Sequence, residues 1–436
     1  MKKNLWKLIF SFSFLIGTTT ASGQVEYKAP ALPSIQNKNF NIIDFGAKND
    51  NNTDNAVAIQ SAIDAAAREG GGHVIIPAGD YLSGPLTFKN NIDLHLEANA
   101  VLRLLPIERY PGGLLAADNF INGYNLHDVS LTGQGKIDGQ GSPWWPHYKE
   151  KGVKRPIMIN LKGCERVLVQ GLTLADSPKF HIAITAEDVT VQGVTVRAPA
   201  SDDAKNPSHN TDACNVSGHH ILVENCDIST GDDNYTCAGN TSDVMIRNNK
   251  YGFGHGVSIG SYTSGGVKNF TVENCTFDNT EAGIRVKTDR DRGGVVENLV
   301  YRNLKMNNVG IPILLYQSYN IPDKMYRNLQ KLTGDIAQTY PSQPVGKTTP
   351  KYRNILFQNI VATVVDGKRA GLIWGLPESL IENIVFENVN IRAANSFGIY
   401  FSQDVQFNKC KIITKDGLNR FDISQSSVTI NGKKVK

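Results

Sequence analysis

Asp243-Val244-Met245-Ile246-Arg247 is a polar residue, an apolar anchor and a short alternation, and the chain repeats it. The same opening pair stands at Asp128-Val129, Arg166-Val167, Asp188-Val189, His220-Ile221, Asn269-Phe270, Asn298-Leu299, Asn354-Ile355, Asn383-Ile384 and Asp404-Val405. The apolar anchors step by 38, 22, 32, 23, 26, 29, 56, 29 and 21 residues. Steps of 21 to 29 suit one coil of a solenoid, and the longer ones a coil with an inserted loop. Alternation, as in Val167-Leu168-Val169-Gln170, argues for strands too short to make a sheet locally. Stacked coil on coil, they form parallel sheets with every edge bonded except at the ends. The pattern predicts an all-β fold, a single-stranded right-handed parallel β-helix. A leucine-rich repeat would need a Leu pattern that is absent, and a propeller blade about twice this step.

Asn marks the turns, as Glu224-Asn225, Glu273-Asn274, Arg302-Asn303, Gln358-Asn359 and Glu387-Asn388. Asn tolerates tight turn dihedrals, and in a stacked array it can bond to the Asn of the next coil. Upstream, Phe40 to Phe45 reads as a strand and Gly46 to Asn55 as a polar turn. Ala56 to Arg68 reads as a helix, with Val57, Ile59, Ile63 and Ala66-Ala67 as its apolar stripe and Gly70-Gly71-Gly72 as its stop. A helix there caps the open end of the sheet stack. Short strands follow at 74–76, 81–88 and 92–96. The 56-residue step holds Tyr319 to Lys351, rich in Pro, Gln and Thr, a long loop over one face.

Composition sets the class. Hydrophobic residues at 40% and charged residues at 20% exclude a disordered or membrane-embedded chain. Lys2, Lys3 and Lys7, the apolar run Leu8 to Gly17 and Ala21-Ser22-Gly23 read as a secretory signal peptide over residues 1–23. The chain is expected in the periplasm or outside the cell, with no membrane span. Residues 24–38 are a lead-in and 39–436 the parallel β-helix domain. Loss of the three lysines lowers the formal charge from +4 to +1, so composition implies no nucleic-acid partner. The six cysteines are too sparse for a disulfide framework and read as small buried hydrophobes on stacked turns, with one or two bridges open.

Four polar clusters recur at about one coil: Asn210-Thr211-Asp212, Gly231-Asp232-Asp233, Gly254-His255-Gly256 and Arg285-Val286-Lys287. Adjacent coils lie about 4.8 Å apart, so this spacing gathers them on one face. Breaking a glycosidic bond needs an acid and a base or nucleophile. Three crowded carboxylates repel one another, so at least one holds its proton more tightly than a free Asp. Asp232 and Asp233 would point to opposite faces of a flat strand, and a bend is needed to present both. His255 can orient a carboxylate or bond a sugar, and its flanking glycines permit close backbone approach. Arg285 and Lys287, two apart on a strand, face the same way and suit a carboxylated sugar. Tyr316 can stack on or bond to a sugar. Trp144-Trp145 reads either as an exposed sugar platform or as a core plug. The chemical rival is a calcium-assisted lyase, with Asp212, Asp232, Asp233 and Asp202-Asp203 as oxygen ligands. The non-enzymatic rival is a carbohydrate-binding β-helix.

The four motifs in this order resemble glycoside hydrolase family 28, the polygalacturonases and their relatives, across roughly residues 40–430. They match the family's Asn-Thr-Asp-Gly, Gly-Asp-Asp, Gly-His-Gly and Arg-Ile-Lys. The resemblance implies a pectin-lyase-like solenoid and inverting hydrolysis of α-1,4-galacturonosidic bonds in acidic plant cell-wall polysaccharide by a monomer. It implies Asp232 as general acid, Asp212 and Asp233 as activators of the water, and His255 in support of the acid. Asn210, Gly256, Arg285, Lys287 and Tyr316 fall to substrate binding, with the two cations on a galacturonate carboxylate. No metal or cofactor is implied. Ala213 replaces the usual Gly, and Asn234-Tyr235-Thr236 departs from the usual Cys-Ile, which keeps rhamnogalacturonan and xylogalacturonan open as substrates. Segments 136–156 and 316–351 are the loops that can block an end of the cleft.

Overall fold

The computed structural model describes residues 27–415 and 420–435. The signal peptide expected at 1–23 lies outside the described residues. From there on, the polypeptide winds as a right-handed parallel β-helix. The apolar anchors stack in one continuous register: Val129 on Val167, then Val189, Ile221, Val244, Phe270, Leu299, Ile355, Ile384 and Val405. None is more than 2% exposed. Each coil thus buries its anchor against the one before and the one after. At about 25 cal/mol per Å² of apolar surface removed from water, this column and the other buried columns of the same core hold the coils together.

The polar residue before each anchor bends the chain. At all ten of these positions φ is positive, between 51° and 58°. Asn and Asp enter this left-handed region at low cost because their side chains bond locally. Arg166, an exception, compensates with a two-pronged grip on Asp128 of the preceding coil, 2.8 Å from each oxygen. The second turn behaves alike at Asn225, Asn274, Asn303, Asn359 and Asn388. Their amides form the expected ladder: Asn303 donates to Asn274 at 3.0 Å, Asn359 to Asn303 at 3.1 Å and Asn388 to Asn359 at 2.9 Å. A second ladder runs up the pre-anchor column through Asn298, Asn354 and Asn383. Inside, Tyr301, Phe357, Phe386 and Phe407 stack ring on ring with centroids 4.3–5.0 Å apart.

The helix Ala56–Arg68 covers the N-terminal end, as predicted, through Ile59, Ala62, Ile63 and Ala66. Val57, placed on its apolar stripe by spacing, is instead 80% exposed, because it stands about 200° around the helix from Ile59, on the face turned away from the sheet end. The strand expected over 40–45 ends at Asn41. The chain then turns into the 3-10 helix Ile42–Phe45, where the Asn41 side chain accepts from the Ile43 amide. The polar stretch after it contains a strand, Asp50–Asp54. The lead-in crosses the coils as a strap, with the amides of Ala31 and Ser34 held by Asp188 and Asp128.

The insertion after Tyr319 is more than a loop. Short helices at Lys324–Arg327 and Gly334–Ala337 bury Tyr326 and Ala337 against Trp374 and Tyr400. Trp144 and Trp145 are core plugs, at most 3% exposed. The six cysteines are unpaired thiols, five of them buried. No helix among the described residues is long and apolar enough to cross a membrane.

Candidate active site

The register delivers the four polar clusters to one place. Cys214 pairs with Tyr235, Tyr235 with Val257, and Val257 with Ile284, so the residues flanking these strands lie on consecutive coils. The main chain confirms the stacking, since the Ala213 amide bonds the Asp233 carbonyl at 2.9 Å. The chain bends at Gly231 to Asn234, and the two adjacent aspartates part there. Asp233 turns inward and is 3% exposed, while Asp232 faces the cleft.

Each carboxylate has its own surroundings. Asp233 receives Ser258 Oγ at 2.7 Å, Lys287 Nζ at 3.1 Å and the Arg285 guanidinium. Burial alone would neutralise it, but the two cations overcome that and hold it well below the usual carboxylate range. Asp232 takes the backbone amide and the side-chain amide of Asn210, each at 3.2 Å, and the Asp233 amide at 2.9 Å. Its burial is likewise outweighed, here by His255, whose Nδ1 stands 3.1 Å away, and the acid is held low. Asp212 has no cation in contact. Burial, then the charges of Asp232 and Asp233, push it well above the ordinary value. Of the three crowded carboxylates, Asp212 is therefore the one whose surroundings favour keeping a proton.

His255 lies between two acids, Asp232 on one nitrogen and Glu281 on the other at 2.9 Å from Nε2. Burial opposes its charge, but both partners raise it to about 9. Gly254 and Gly256 serve the protein's own packing. A Cβ on Gly256 would stand 2.1 Å from the Ala282 carbonyl, and the Gly256 amide bonds Asn234 at 2.8 Å. The glycines thus let the coil of His255 close onto its neighbours. Arg285 and Lys287 do face the same way, both buried against Asp233. Tyr316 lies beneath them at 5% exposure. Tyr319, three residues on and 40% exposed, carries its ring 5.3 Å from Lys287 Nζ.

Several groups escaped the sequence reading. Ser258 was findable, because it pairs in register with Arg285 and so shares its face. Glu281, Tyr319 and Arg155 sit at strand ends or in an insertion, where periodicity gives no signal. Arg155 donates to Asn210 Oδ1 at 3.0 Å.

A model of the glycosyl hydrolases family 28 matches residues 67–396. The chain belongs to this family. It is 32% identical over 361 residues to a probable polygalacturonase of Arabidopsis thaliana, covering 81% of this chain and 74% of that protein. It is 30% identical over 280 residues to an endo-polygalacturonase of Pectobacterium carotovorum, covering 56% of this chain and 68% of that one. Among solved structures it resembles a Yersinia enterocolitica family 28 exopolygalacturonase, with TM-score 0.73, 22% identity, and 91% and 78% of the two chains covered. A Thermotoga maritima exopolygalacturonase gives TM-score 0.70, 23% identity, and 93% and 95% coverage. At these identities the structural likeness speaks for the fold.

Family 28 membership makes the chain a hydrolase, and the donor chemistry of the cluster agrees. Candidate ligand atoms of Asp232, Asp233 and His255 lie within 4.8 Å of one another. Yet Asp233 is saturated by two cations and a hydroxyl, and His255 is held as an imidazolium with both nitrogens engaged. Such a set repels a divalent ion. Asp203, offered earlier as a calcium ligand, caps the amides of Lys205 and Asn206.

Proposed function

We propose that this protein hydrolyses galacturonate-containing pectic polysaccharide at α-1,4-galacturonosidic bonds, with inversion, as an exported monomer. The observation that carries the reading is the unequal treatment of three aspartates on adjacent coils. One is buried and reluctant to ionise, one is pinned as a carboxylate by two cations, and one lies open to the cleft against an imidazolium.

In this mechanism Asp232 donates the proton to the leaving oxygen, and Asp212 and Asp233 activate the attacking water. In the free site Asp232 is ionised and Asp212 holds the proton. Substrate entry reverses that balance. It removes Asp232 from water and brings a galacturonate carboxylate beside it, and both changes strengthen the acid's hold on a proton. Asp212, once relieved of its proton, becomes the base, and Asp233 keeps the polarity of the site fixed. His255 sets the orientation of the Asp232 carboxyl. Arg285 and Lys287 still have N–H groups to spare after serving Asp233, and these meet the carboxylate of the sugar beside the cleaved bond. Asn210 steadies Asp232, Gly256 seats His255, and Tyr316 backs Arg285 from below. The mature chain comprises the lead-in and a catalytic domain spanning 39–436.

The test is incubation of residues 24–436 with polygalacturonate, rhamnogalacturonan and xylogalacturonan, with and without EDTA. Reducing ends, unsaturated ultraviolet-absorbing products and the anomer first released are followed together. New reducing ends of inverted configuration, unaffected by EDTA, are expected, and the preferred polymer names the substrate. An unsaturated product that disappears with EDTA would replace this reading with a lyase.

A further inference from the structure

Asn210 touches Asp232 twice, and the group that fixes Asn210 comes from outside the repeat. Asn210 has a φ of 57°, and both its backbone amide and its side-chain Nδ2 reach one oxygen, Asp232 Oδ2, each at 3.2 Å. An Asn side chain can be turned over, and Oδ1 would then face the carboxylate and repel it. Arg155 forbids that orientation. Its Nη2 donates to Asn210 Oδ1 at 3.0 Å, and its Nη1 donates to the carbonyls of His209 at 2.8 Å and Pro178 at 3.1 Å. A guanidinium carries donors and no acceptor. With Oδ1 filled by it, Asn210 shows Asp232 only N–H groups.

The segment 136–156 that carries Arg155 is tied down along its length. Trp145 donates its Nε1–H to the Ser177 carbonyl at 2.9 Å, and Tyr148 stacks on His209 with ring centroids 4.1 Å apart. Arg155 is buried at the end of this grip, within range of the charges of Asp232 and Asp212. The other titratable groups near it are Tyr148, Lys179 and His209. Asp232 itself faces Asp233, His255 and Arg285 as well. Its two oxygens have different holders. Oδ1 meets His255 Nδ1 at 3.1 Å and the Asp233 amide at 2.9 Å, while Oδ2 meets Asn210 with Arg155 behind it.

We infer that Arg155 is a positioning residue for the hydrolysis: acting through Asn210, it fixes the direction in which Asp232 presents its carboxyl to the leaving oxygen. The inference rests on the role given to Asp232 above. His255 fixes one oxygen of the acid and Asn210 the other, so the carboxyl plane cannot rotate. Arg155 extends that control into an insertion that no coil of the solenoid supplies.

The experiment measures kcat, KM and the pH profile on polygalacturonate for the wild type, Arg155→Met, Arg155→Lys, Asn210→Gly, and Arg155→Met combined with Asn210→Gly. Gly is chosen at 210 because it accepts the positive φ without strain. Arg155→Met is expected to lower kcat roughly ten- to a hundredfold and to leave KM within about threefold. Its profile should move to higher pH, because Asp212 and Asp232 hold their protons more tightly without the cation. Arg155→Lys keeps the charge, so its profile should stay near that of the wild type. It should recover only part of the rate, since one ammonium does not reproduce the fork. The combined variant should turn over within about threefold of Asn210→Gly alone. If Arg155→Met does not fold by circular dichroism, Arg155→Lys serves in its place: its remaining rate deficit should vanish once residue 210 is Gly. Full additivity of the two substitutions would overturn the inference. So would a rise in KM with kcat unchanged, or a loss of rate that tracks the folded fraction with the profile unmoved. Each of these leaves hydrolysis standing. A wild-type chain inert toward polygalacturonate, rhamnogalacturonan and xylogalacturonan alike would remove the proposed function and the role of Arg155 together.

Discussion

Glu281 Oε2 stands 2.9 Å from Nε2 of His255, so the imidazole that faces Asp232 is held from behind by a second carboxylate. The hydrogen bond from His255 draws Glu281 down to about 2, and Glu281 in turn helps raise His255 to about 9. Glu281 is exposed, so it connects the buried end of the relay to solvent.

Glu281→Gln should therefore lower the His255 pKa and shift the alkaline limb of the pH–rate profile to lower pH. The sign follows from the folded value lying above the unfolded one, about 6.5. The stabilising effect of the charged ring is complete below that value and fades as pH climbs through about 9. NMR titration of the ring checks the shift directly, and an unmoved titration would show that Asp232 alone sustains the imidazolium.

Asp212→Asn and Asp233→Asn should both lose activity but move stability in opposite directions. Asp212 has a raised folded pKa, so its stabilising contribution is present in acid and lost as pH rises through that value. Asn is neutral in both states and spares the protein the proton uptake that folding otherwise demands, so the melting temperature should rise at neutral pH, with a gain that vanishes in acid. The rate should fall by about 10²–10⁴.

Asp233→Asn strands two buried cations. It should cost about 3–5 kcal/mol of stability, read from urea denaturation, along with activity. An Asp233→Asn protein as stable as the parent would mean that Arg285 and Lys287 find other partners.

Asn303→Ala should weaken the solenoid without touching the chemistry. Asn303 donates to Asn274 and accepts from Asn359, and its φ is 55°. Losing two ladder bonds and placing Ala in the left-handed region should cost about 1–3 kcal/mol. The rate per folded molecule should be unchanged. Asn303→Gly, which relieves the backbone, should recover part of that loss.

The anchors and turns were legible because one physical demand, an apolar residue inside and a left-handed residue at the bend, is repeated in every coil. The four polar clusters were legible for the same reason, since their spacing follows the coil. What escaped lies off the repeat. Val57 is apolar, but it stands two residues before Ile59 and so on the opposite face of the cap, which an apolar count without the helical angle does not reveal. Arg155 comes from an insertion with no period, and Glu281 precedes its strand by one residue. The partition of protons among Asp212, Asp232 and Asp233 was also hidden, because it depends on which acid meets the cations and only the bend at Gly231 to Asn234 decides that.

Asp233 waits for its counter-ions along the chain. Arg285 follows it by 52 residues and Lys287 by 54. A ribosome or translocation pore releasing this polypeptide from its N-terminus delivers the buried acid more than two coils before the charges that make its burial tolerable. The early coils can wind, but they cannot close firmly around Asp233 until the strand Ala282–Lys287 docks. That strand is thus a checkpoint in assembly. A fragment that stops short of Arg285 should remain loose and protease-sensitive, and one that extends past Lys287 should tighten abruptly.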